Sequence, residues 1–229
     1  MAQYPPNPAW KPALASSLSS QPVTFFQLAT VSAPLTPHCR TLTLSGFFGE
    51  MPYAAATAIA ADQQNPPGAE SDILYVASDG RSQKFAELEV SQAVEAVFFF
   101  PGLWSQFRIR GSAFPISAGG RCGQLEQRGR SAVAAHMLLP EGWDWEKEVL
   151  KVWERQDKTM IKSKYPVSTA EKPVPDDFRL LVIVPEEVQQ LLPGDNKALT
   201  WTATTAVNGT AVDWVCIEDV LLHKRSSKL

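Results

Sequence analysis

Small hydroxyl and cationic side chains cluster between residues 78 and 84, where the sequence reads SDGRSQK. The cluster supplies two hydroxyls, Ser78 and Ser82, and two cations, Arg81 and Lys84. A phosphate group is held best by charge-assisted hydrogen bonds together with the free backbone N–H groups at the start of a helix. Because an apolar run precedes the cluster and a helical pattern follows it, Ser82 can cap a helix whose first turn contains Lys84. The segment therefore predicts a phosphate-binding site.

The elements that must position this segment are predicted to be mostly strands. Strand patterns cover Thr24–Val31, His38–Phe47, Ile73–Val76, Ala93–Phe100, Ser105–Phe114, Phe178–Val184, Leu199–Val207 and Thr210–Ile217. Helical patterns follow Ser82 and cover Glu126–Leu139, Trp143–Gln156 and Glu186–Leu192. An Asn208-Gly209 pair predicts a tight hairpin between the last two strands. The pattern favours a mostly β protein, an antiparallel barrel or sandwich with a few covering helices.

The domain organisation is predicted to be simple. We expect a flexible N-terminal arm over residues 1–22, since this stretch is rich in Pro and Ser, and a single domain over residues 23–222. Glu50–Asp72, with its Ala, Pro and Gly content, is interpreted as an insertion between two strands. The chain ends in Ser227-Lys228-Leu229, the tripeptide read by the peroxisomal import receptor. The tail over residues 223–229 therefore predicts a peroxisomal protein, and the alternative is a chance match in a cytoplasmic one.

Composition and charge argue against several classes of function. The chain has 229 residues, of which 45% are hydrophobic, enough for a substantial core. Its net charge of −3 argues against nucleic-acid binding by bulk electrostatics, and it has no apolar run of about 18 residues that would predict a membrane span. The cysteines and histidines are scattered without the paired spacing of a metal site. They are Cys39, Cys122, Cys216, His38, His136 and His223.

Three segments together resemble the pyridoxamine 5'-phosphate oxidase-like, FMN-binding split-barrel proteins, in the variant named after a cyanobacterial protein. They are Arg40-Thr41-Leu42-Thr43-Leu44-Ser45, Ser78-Asp79-Gly80-Arg81-Ser82-Gln83-Lys84 and Gln106-Phe107-Arg108-Ile109-Arg110-Gly111. The late FRLLVIVPEEVQQL and the closing strand through Trp214 look similar as well. The resemblance runs from about Val23 to Leu222. It implies an antiparallel split β-barrel with covering helices, FMN as cofactor, a small-molecule substrate and a homodimer with the flavin at the interface.

The resemblance also implies which residues bind the cofactor. Arg40, Ser82 and Lys84 would bind the FMN phosphate, the backbone around Leu42–Ser45 would lie against the isoalloxazine, and Gln106 would hydrogen-bond the flavin. The full set expected at the cofactor is Arg40, Thr41, Leu42, Ser45, Ser78, Arg81, Ser82, Gln83, Lys84, Gln106 and Arg108. Ordinary structural roles are the alternatives: a strand cation, a helix cap, a solvated lysine and a polar strand residue.

Two positions depart from the family pattern, and the substrate is not specified. The family often has Lys or Arg where this chain has Ser45, and Arg where it has Gln83, although Arg81 could compensate for the second. The Tyr, Arg and Ser set that holds the substrate phosphate in true pyridoxamine-phosphate oxidases has no clear match. The candidate substitute is Arg128, Arg130 and Ser131.

Three functions therefore stay open. The leading hypothesis is an FMN-dependent oxidoreductase in peroxisomes that takes two electrons from a small amine, alcohol or reduced cofactor. The second is a non-catalytic protein that binds FMN or pyridoxal phosphate on the same fold. The third is a split barrel that has lost its cofactor.

Overall fold

The computed structural model describes residues 7–20, 24–50, 65, 69–119, 123–137, 139–156, 163, 165, 173–205 and 212–221. In these residues, nine strands form one antiparallel sheet that carries four α-helices. The strands are β1 (Phe25–Ser32), β2 (Thr36–Thr43), β3 (Gly46–Phe47), β4 (Leu74–Asp79), β5 (Ala93–Phe100), β6 (Ser105–Ile116), β7 (Phe178–Leu192), β8 (Lys197–Thr205) and β9 (Val212–Val220). The helices are α1 (Trp10–Ser19), α2 (Gln83–Val90), α3 (Gly123–His136) and α4 (Trp145–Glu154).

The sheet divides along the long strand β7. Its strand order is β2-β1-β5-β6-β7-β4-β3, and β8 and β9 continue from β7 on a separate branch. The first part of β7 pairs with β4 as far as Ile183, whereas the last part pairs with β8 from Glu187 onward. Between them Pro185 has no N–H to donate, and a register shift follows Arg110 in the neighbouring β6. This mostly antiparallel, divided sheet with a few covering helices confirms the predicted split-barrel fold.

Alternation along the strands gives the sheet a buried face and an outer face. On β6, Phe107 and Ile109 are fully buried in the core, while Arg108 and Arg110 are exposed. The same alternation in β1 and β5 stacks the buried rings of neighbouring strands against one another. Burial of these side chains from water is the main force that stabilises the sheet on this side. The outer face of β5 and β6 is consequently available for other contacts.

The N-terminal segment is partly helical, so the prediction of a flexible arm is wrong for residues 10–19. In α1 the side chains of Trp10, Leu14 and Leu18 recur every four residues and are at most 1% exposed. This stripe packs on the core, and the Trp10 ring lies 6.2 Å from that of Phe47. Pro12 falls in the first turn, where a helix tolerates proline. The Pro and Ser content concealed an amphipathic helix.

The predicted helix over Glu186–Leu192 is also wrong, because the segment forms the last part of β7. Val188 and Gln190 are buried, so burial follows a period of two residues rather than the helical period. Cross-strand pairing on both sides, with β6 and β8, overrides the helical propensity of this Glu- and Gln-rich segment.

Other predictions agree with the structure or lie outside what it describes. Helices α3 and α4 and the strand β5 fall where the sequence places them, while the strand predicted over His38–Phe47 is divided into β2 and β3. The Asn208-Gly209 turn, the C-terminal tail and most of the Glu50–Asp72 insertion lie outside the described residues. Among the described helices, none has the length and apolar character that a bilayer crossing requires.

Candidate functional site

The start of α2 places a buried lysine beside a serine hydroxyl. Lys84 is only 7% exposed, and its Nζ donates a hydrogen bond to Ser82 Oγ at 2.6 Å. The Ser82 hydroxyl in turn donates to the backbone carbonyl of Asp79 at 2.6 Å, at the end of β4. Ser82 is the N-cap residue of α2, but its side chain makes no capping hydrogen bond to the helix. The first-turn N–H groups of α2 are therefore not capped by this hydroxyl and can face an anion.

Arg40 reaches the same helix from strand β2. Its Nη2 forms an ion pair with Glu87 Oε2 at 2.5 Å, and its Nη1 donates to the Leu28 carbonyl and to Thr30 Oγ1. Thr30 also donates to the same Glu87 oxygen. The guanidinium carries five N–H donors. These contacts account for three of them, so Arg40 is fixed in place and still has donors for a ligand.

Electrostatics around Lys84 favour binding of an anion. Burial and the neighbouring Arg40 cation lower the pKa of Lys84 to about 8, although Asp79 and Glu87 act in the opposite direction. Neither carboxylate is bonded to the ammonium, because Arg40 pairs with Glu87 and Arg81 pairs with Asp79. Lys84 is thus a desolvated cation whose described hydrogen-bond partner is a neutral hydroxyl.

We call Arg40, Ser82, Lys84 and the first turn of α2 the cradle. Two buried or half-buried cations, a hydroxyl and uncapped helix amides are the donor set that a phosphate dianion requires. A bound phosphate would supply the anionic partner that Lys84 lacks among the described residues. The cradle therefore fits the phosphate of FMN.

Two of the residues predicted to bind the phosphate, Arg81 and Gln83, are exposed to solvent. Arg81 is exposed and forms two hydrogen bonds with Asp79, at 2.9 and 2.6 Å, and its guanidinium lies 5.6 Å from the Tyr165 ring centroid. The hydrogen bonds from Arg81 hold the pKa of Asp79 below its ordinary value. Arg81 is therefore committed to Asp79, and the predicted compensation for Gln83, which is exposed, has no support in this geometry.

The residues predicted along the flavin ring occupy the junction of β2, β3 and β4. Ser45 joins β2 to β3 at the edge of β4, where its Oγ accepts a hydrogen bond from the Ala77 N–H at 3.2 Å. Leu42 packs partly against the core, and Thr41 is exposed on the outer face. Ser78 is half-buried on β4, opposite Arg179. Ser45 is thus held by the backbone and is too short to replace the cation usual in the family.

Gln106 and Arg108 lie on the opposite face of the sheet from the cradle. Arg40 pairs with Leu28, Leu28 with Ala96, and Ala96 with Ile109, and the last three of these side chains are fully buried. Because Gln106 is three residues from Ile109, it faces the other way. Arg108 lies on that face too, where its Nε donates to Glu95 at 2.7 Å. One chain therefore does not bring these two residues to its own cradle.

The candidate substrate-phosphate set on α3 does not converge. Arg130 pairs with the buried Glu126 at 2.7 Å and lies over the Trp145 ring at 5.2 Å. Arg128 and Ser131 are exposed on the same helix. The contacts of Arg130 are those of a structural cation that joins α3 to α4.

Sequence reasoning missed Glu87 and Thr30, which position Arg40. Glu87 is 2% exposed, and although burial raises its pKa, hydrogen bonds from Thr30 and Arg40 hold it below the ordinary value. The available signal was helical spacing, since Glu87 follows Lys84 by three residues and so shares its face of α2. Thr30 carried no such signal, because its position depends on the β1–β2 register.

Comparison with known proteins agrees with the fold and with FMN as the cofactor. Residues 7–117 match the family of pyridoxamine 5'-phosphate oxidase FMN-binding domains. A pyridoxamine 5'-phosphate oxidase-related, FMN-binding protein from Nostoc punctiforme has a similar structure, with 21% identity and a TM-score of 0.57 over 93% of this chain and 97% of that one. PhzG from Burkholderia lata, solved with tetrahydrophenazine-1-carboxylic acid, has 14% identity and a TM-score of 0.49 over 92% of this chain and 90% of that one. The comparison with curated proteins gives no match.

The segment matched by the family model contains Arg40, Ser82, Lys84 and Gln106. The family's domain binds FMN, which is the ligand that the cradle fits. Residues 7–117 of this chain are therefore similar to the pyridoxamine 5'-phosphate oxidase FMN-binding domain, and the chain shares its fold with an FMN-binding protein of that kind.

Proposed function

We propose that this protein is an FMN-dependent oxidoreductase whose cradle holds the phosphate of the cofactor. The observation that carries the proposal is Lys84, a buried cation to which no carboxylate of the described residues is bonded, beside Arg40 and Ser82. When bound, FMN supplies hydride or electron-pair transfer. Similarity to the family supports an oxidoreductase in general terms, and the reaction itself is our proposal.

The chain's own residues bind and orient the cofactor in this scheme. Lys84 and the remaining donors of Arg40 neutralise the phosphate dianion, and the first-turn amides of α2 add hydrogen bonds. The Ser82 hydroxyl rotates from the Asp79 carbonyl to complete the set. Glu87 keeps the Arg40 guanidinium turned toward α2 and thereby acts as a positioning residue.

The substrate is proposed to be a small amine, alcohol or reduced cofactor, and a turnover assay tests this. Protein loaded with FMN is mixed with candidate reductants in air, and peroxide and flavin absorbance are recorded. Flavin reduction followed by peroxide release supports an oxidase. Flavin that binds but is reduced by none of them favours the second candidate, a non-catalytic FMN carrier, which the short Ser45 and the committed Arg130 also favour.

We further propose that two copies form a homodimer, so that Gln106 of one chain completes the flavin site of the other. Gln106 and the cradle lie on opposite faces of one sheet. A single chain therefore cannot bring Gln106 to the flavin that its own cradle holds. The face around Gln106 also exposes large apolar side chains: Phe99, directly opposite Gln106 on β5, is 51% exposed, and Phe25 on the adjoining strand is 59% exposed. Apolar surface of this kind commonly marks an interface.

Phe99→Lys is expected to convert the dimer to a monomer, because it places a charge in the centre of this apolar face. Light scattering after size exclusion measures the mass, and FMN affinity should fall with it, since Gln106 of the second copy is lost. Val90→Lys is the matched control, because Val90 is 53% exposed on α2, away from this face. A Phe99→Lys protein that remains dimeric contradicts the proposal.

Peroxisomal action remains a proposal from the C-terminal Ser227-Lys228-Leu229. An amino-terminal fluorescent fusion should be found in peroxisomes, and removal of these three residues should return it to the cytoplasm. A fusion that is cytoplasmic with the tripeptide intact contradicts this location. An oxidase that forms peroxide would suit an organelle that disposes of it.

A further inference from the structure

A cavity of about 610 Å³ lies away from the cradle, and no residue of the cradle lines it. It forms where α3 ceases to cover the outer face of the sheet. Gly129 of α3 lies so close to Phe114 of β6 that a Cβ there would come within 2.5 Å of it. Four residues back along β6, Arg110 is exposed and lines the cavity. The volume of the cavity is within the range of pockets that bind small molecules.

His136 lines the cavity, and Asp72 holds its ring in place. The His136 side chain is 10% exposed, and its Nδ1 lies 2.9 Å from Asp72 Oδ1. The second oxygen of Asp72 accepts a hydrogen bond from the Trp214 indole N–H at 3.1 Å. The Asp72 carboxylate accepts a hydrogen bond from Nδ1–H, so in the neutral form of the imidazole Nε2 is the hydrogen-bond acceptor that faces a ligand.

Two carboxylates also line the cavity. Glu186 and Glu187 line the cavity together with Arg110, which forms an ion pair with Glu187. Glu186 Oε1 accepts a hydrogen bond from the Ser112 hydroxyl at 2.7 Å, which leaves its second oxygen for a ligand. Among the described residues around the cavity, the carboxylates of Glu186, Glu187 and Asp72 outnumber the guanidinium of Arg110, so a cation is favoured over an anion.

We propose that this cavity binds a small molecule carrying a primary ammonium group, with Glu186 pairing with the ammonium and His136 Nε2 accepting a hydrogen bond from the ligand. The hydroxyls of Thr202 and Thr204 at the rim add polar contacts. Because the cavity shares no residue with the cradle, binding here is independent of FMN and can be measured with and without it.

The test uses three probes that share one ring and differ in charge: 4-fluorobenzylamine, 4-fluorobenzyl alcohol and 4-fluorobenzoate. Their binding to the full chain is followed by fluorine NMR, before and after loading with FMN. We expect the amine to bind at least about fivefold more tightly than the alcohol and the benzoate not to bind. FMN loading should leave the amine affinity unchanged.

Two variants locate the ligand. Glu186→Gln should remove the preference for the amine over the alcohol, and His136→Gln should weaken both about 3- to 10-fold through loss of one hydrogen bond. Glu218→Gln, on the exposed face of β9, is the control and should change neither. Equal binding of the three probes, or a Glu218→Gln effect as large as that of Glu186→Gln, overturns the assignment. Since Glu186 is exposed, its variant keeps the test decisive if His136→Gln does not fold.

Discussion

Replacing Lys84 with methionine is expected to weaken FMN binding about 30-fold or more, because it removes a buried charged partner of the phosphate. The free protein should become more stable. In the unsubstituted protein, the unfolded-state pKa of Lys84, 10.5, lies above the folded value of about 8. The buried ammonium therefore opposes folding at neutral pH by up to about 3 kcal/mol. Flavin fluorescence titration measures the first effect and urea unfolding the second.

Arg81→Gln is the matched control, since Arg81 is a cation three residues away that is bonded to Asp79. Its effect on FMN affinity should be several times smaller than that of Lys84→Met. The pH profile gives an independent readout: FMN affinity should decline above about pH 8, where Lys84 loses its proton, and the decline should be absent in Lys84→Arg. Equal losses in Arg81→Gln and Lys84→Met would place the phosphate elsewhere.

The cradle could be predicted from sequence because its parts are local. Ser82 and Lys84 sit in one loop and one helical turn, and the only long-range member, Arg40, was supplied by resemblance to a family rather than by spacing. Their mutual position depends on the β1–β2 register and on Glu87, neither of which a local pattern specifies. The sequence therefore indicated Ser82 and Lys84 as members of the candidate phosphate site, but not Glu87, the carboxylate that pairs with Arg40.

It was harder to predict which strands a segment pairs with and which face of the sheet a residue occupies, for a physical reason. Residues 186–192 satisfy a helical pattern and a strand pattern together, and only pairing with both β6 and β8 decides between them. In the same way, Gln106 belongs to one of the three segments that resemble the family, yet it faces away from the cradle in the sheet. The cavity beside His136 joins five separate segments, so no single stretch of sequence could indicate it.

Arg40→Met is expected to destabilise the fold by about 3–5 kcal/mol, because it leaves the Glu87 carboxylate buried without its cationic partner. The midpoint of urea unfolding measures the loss. In the native protein the pKa of Glu87 is held below its unfolded value. Its contribution to stability is therefore present above the unfolded pKa of about 4.5 and is lost as pH falls through the lower folded value.

Comparing Glu87→Gln with Arg40→Met separates stability from cofactor binding, because the first variant removes a negative charge beside the cradle and the second removes a positive one. Arg40→Met removes a phosphate donor and should weaken FMN binding. Glu87→Gln keeps a side-chain oxygen that can accept from Arg40 and so hold it in position, but removes the competing negative charge, and should preserve or strengthen FMN binding. Lys197→Met is the control for stability, since Lys197 forms an exposed pair with Glu218 and such pairs contribute at most about 1 kcal/mol. If Arg40→Met lowers the free energy of unfolding by no more than Lys197→Met does, the buried Glu87 carboxylate does not need Arg40 as its cationic partner. If Glu87→Gln loses FMN as Arg40→Met does, the carboxylate positions the guanidinium so closely that the phosphate site cannot form without it.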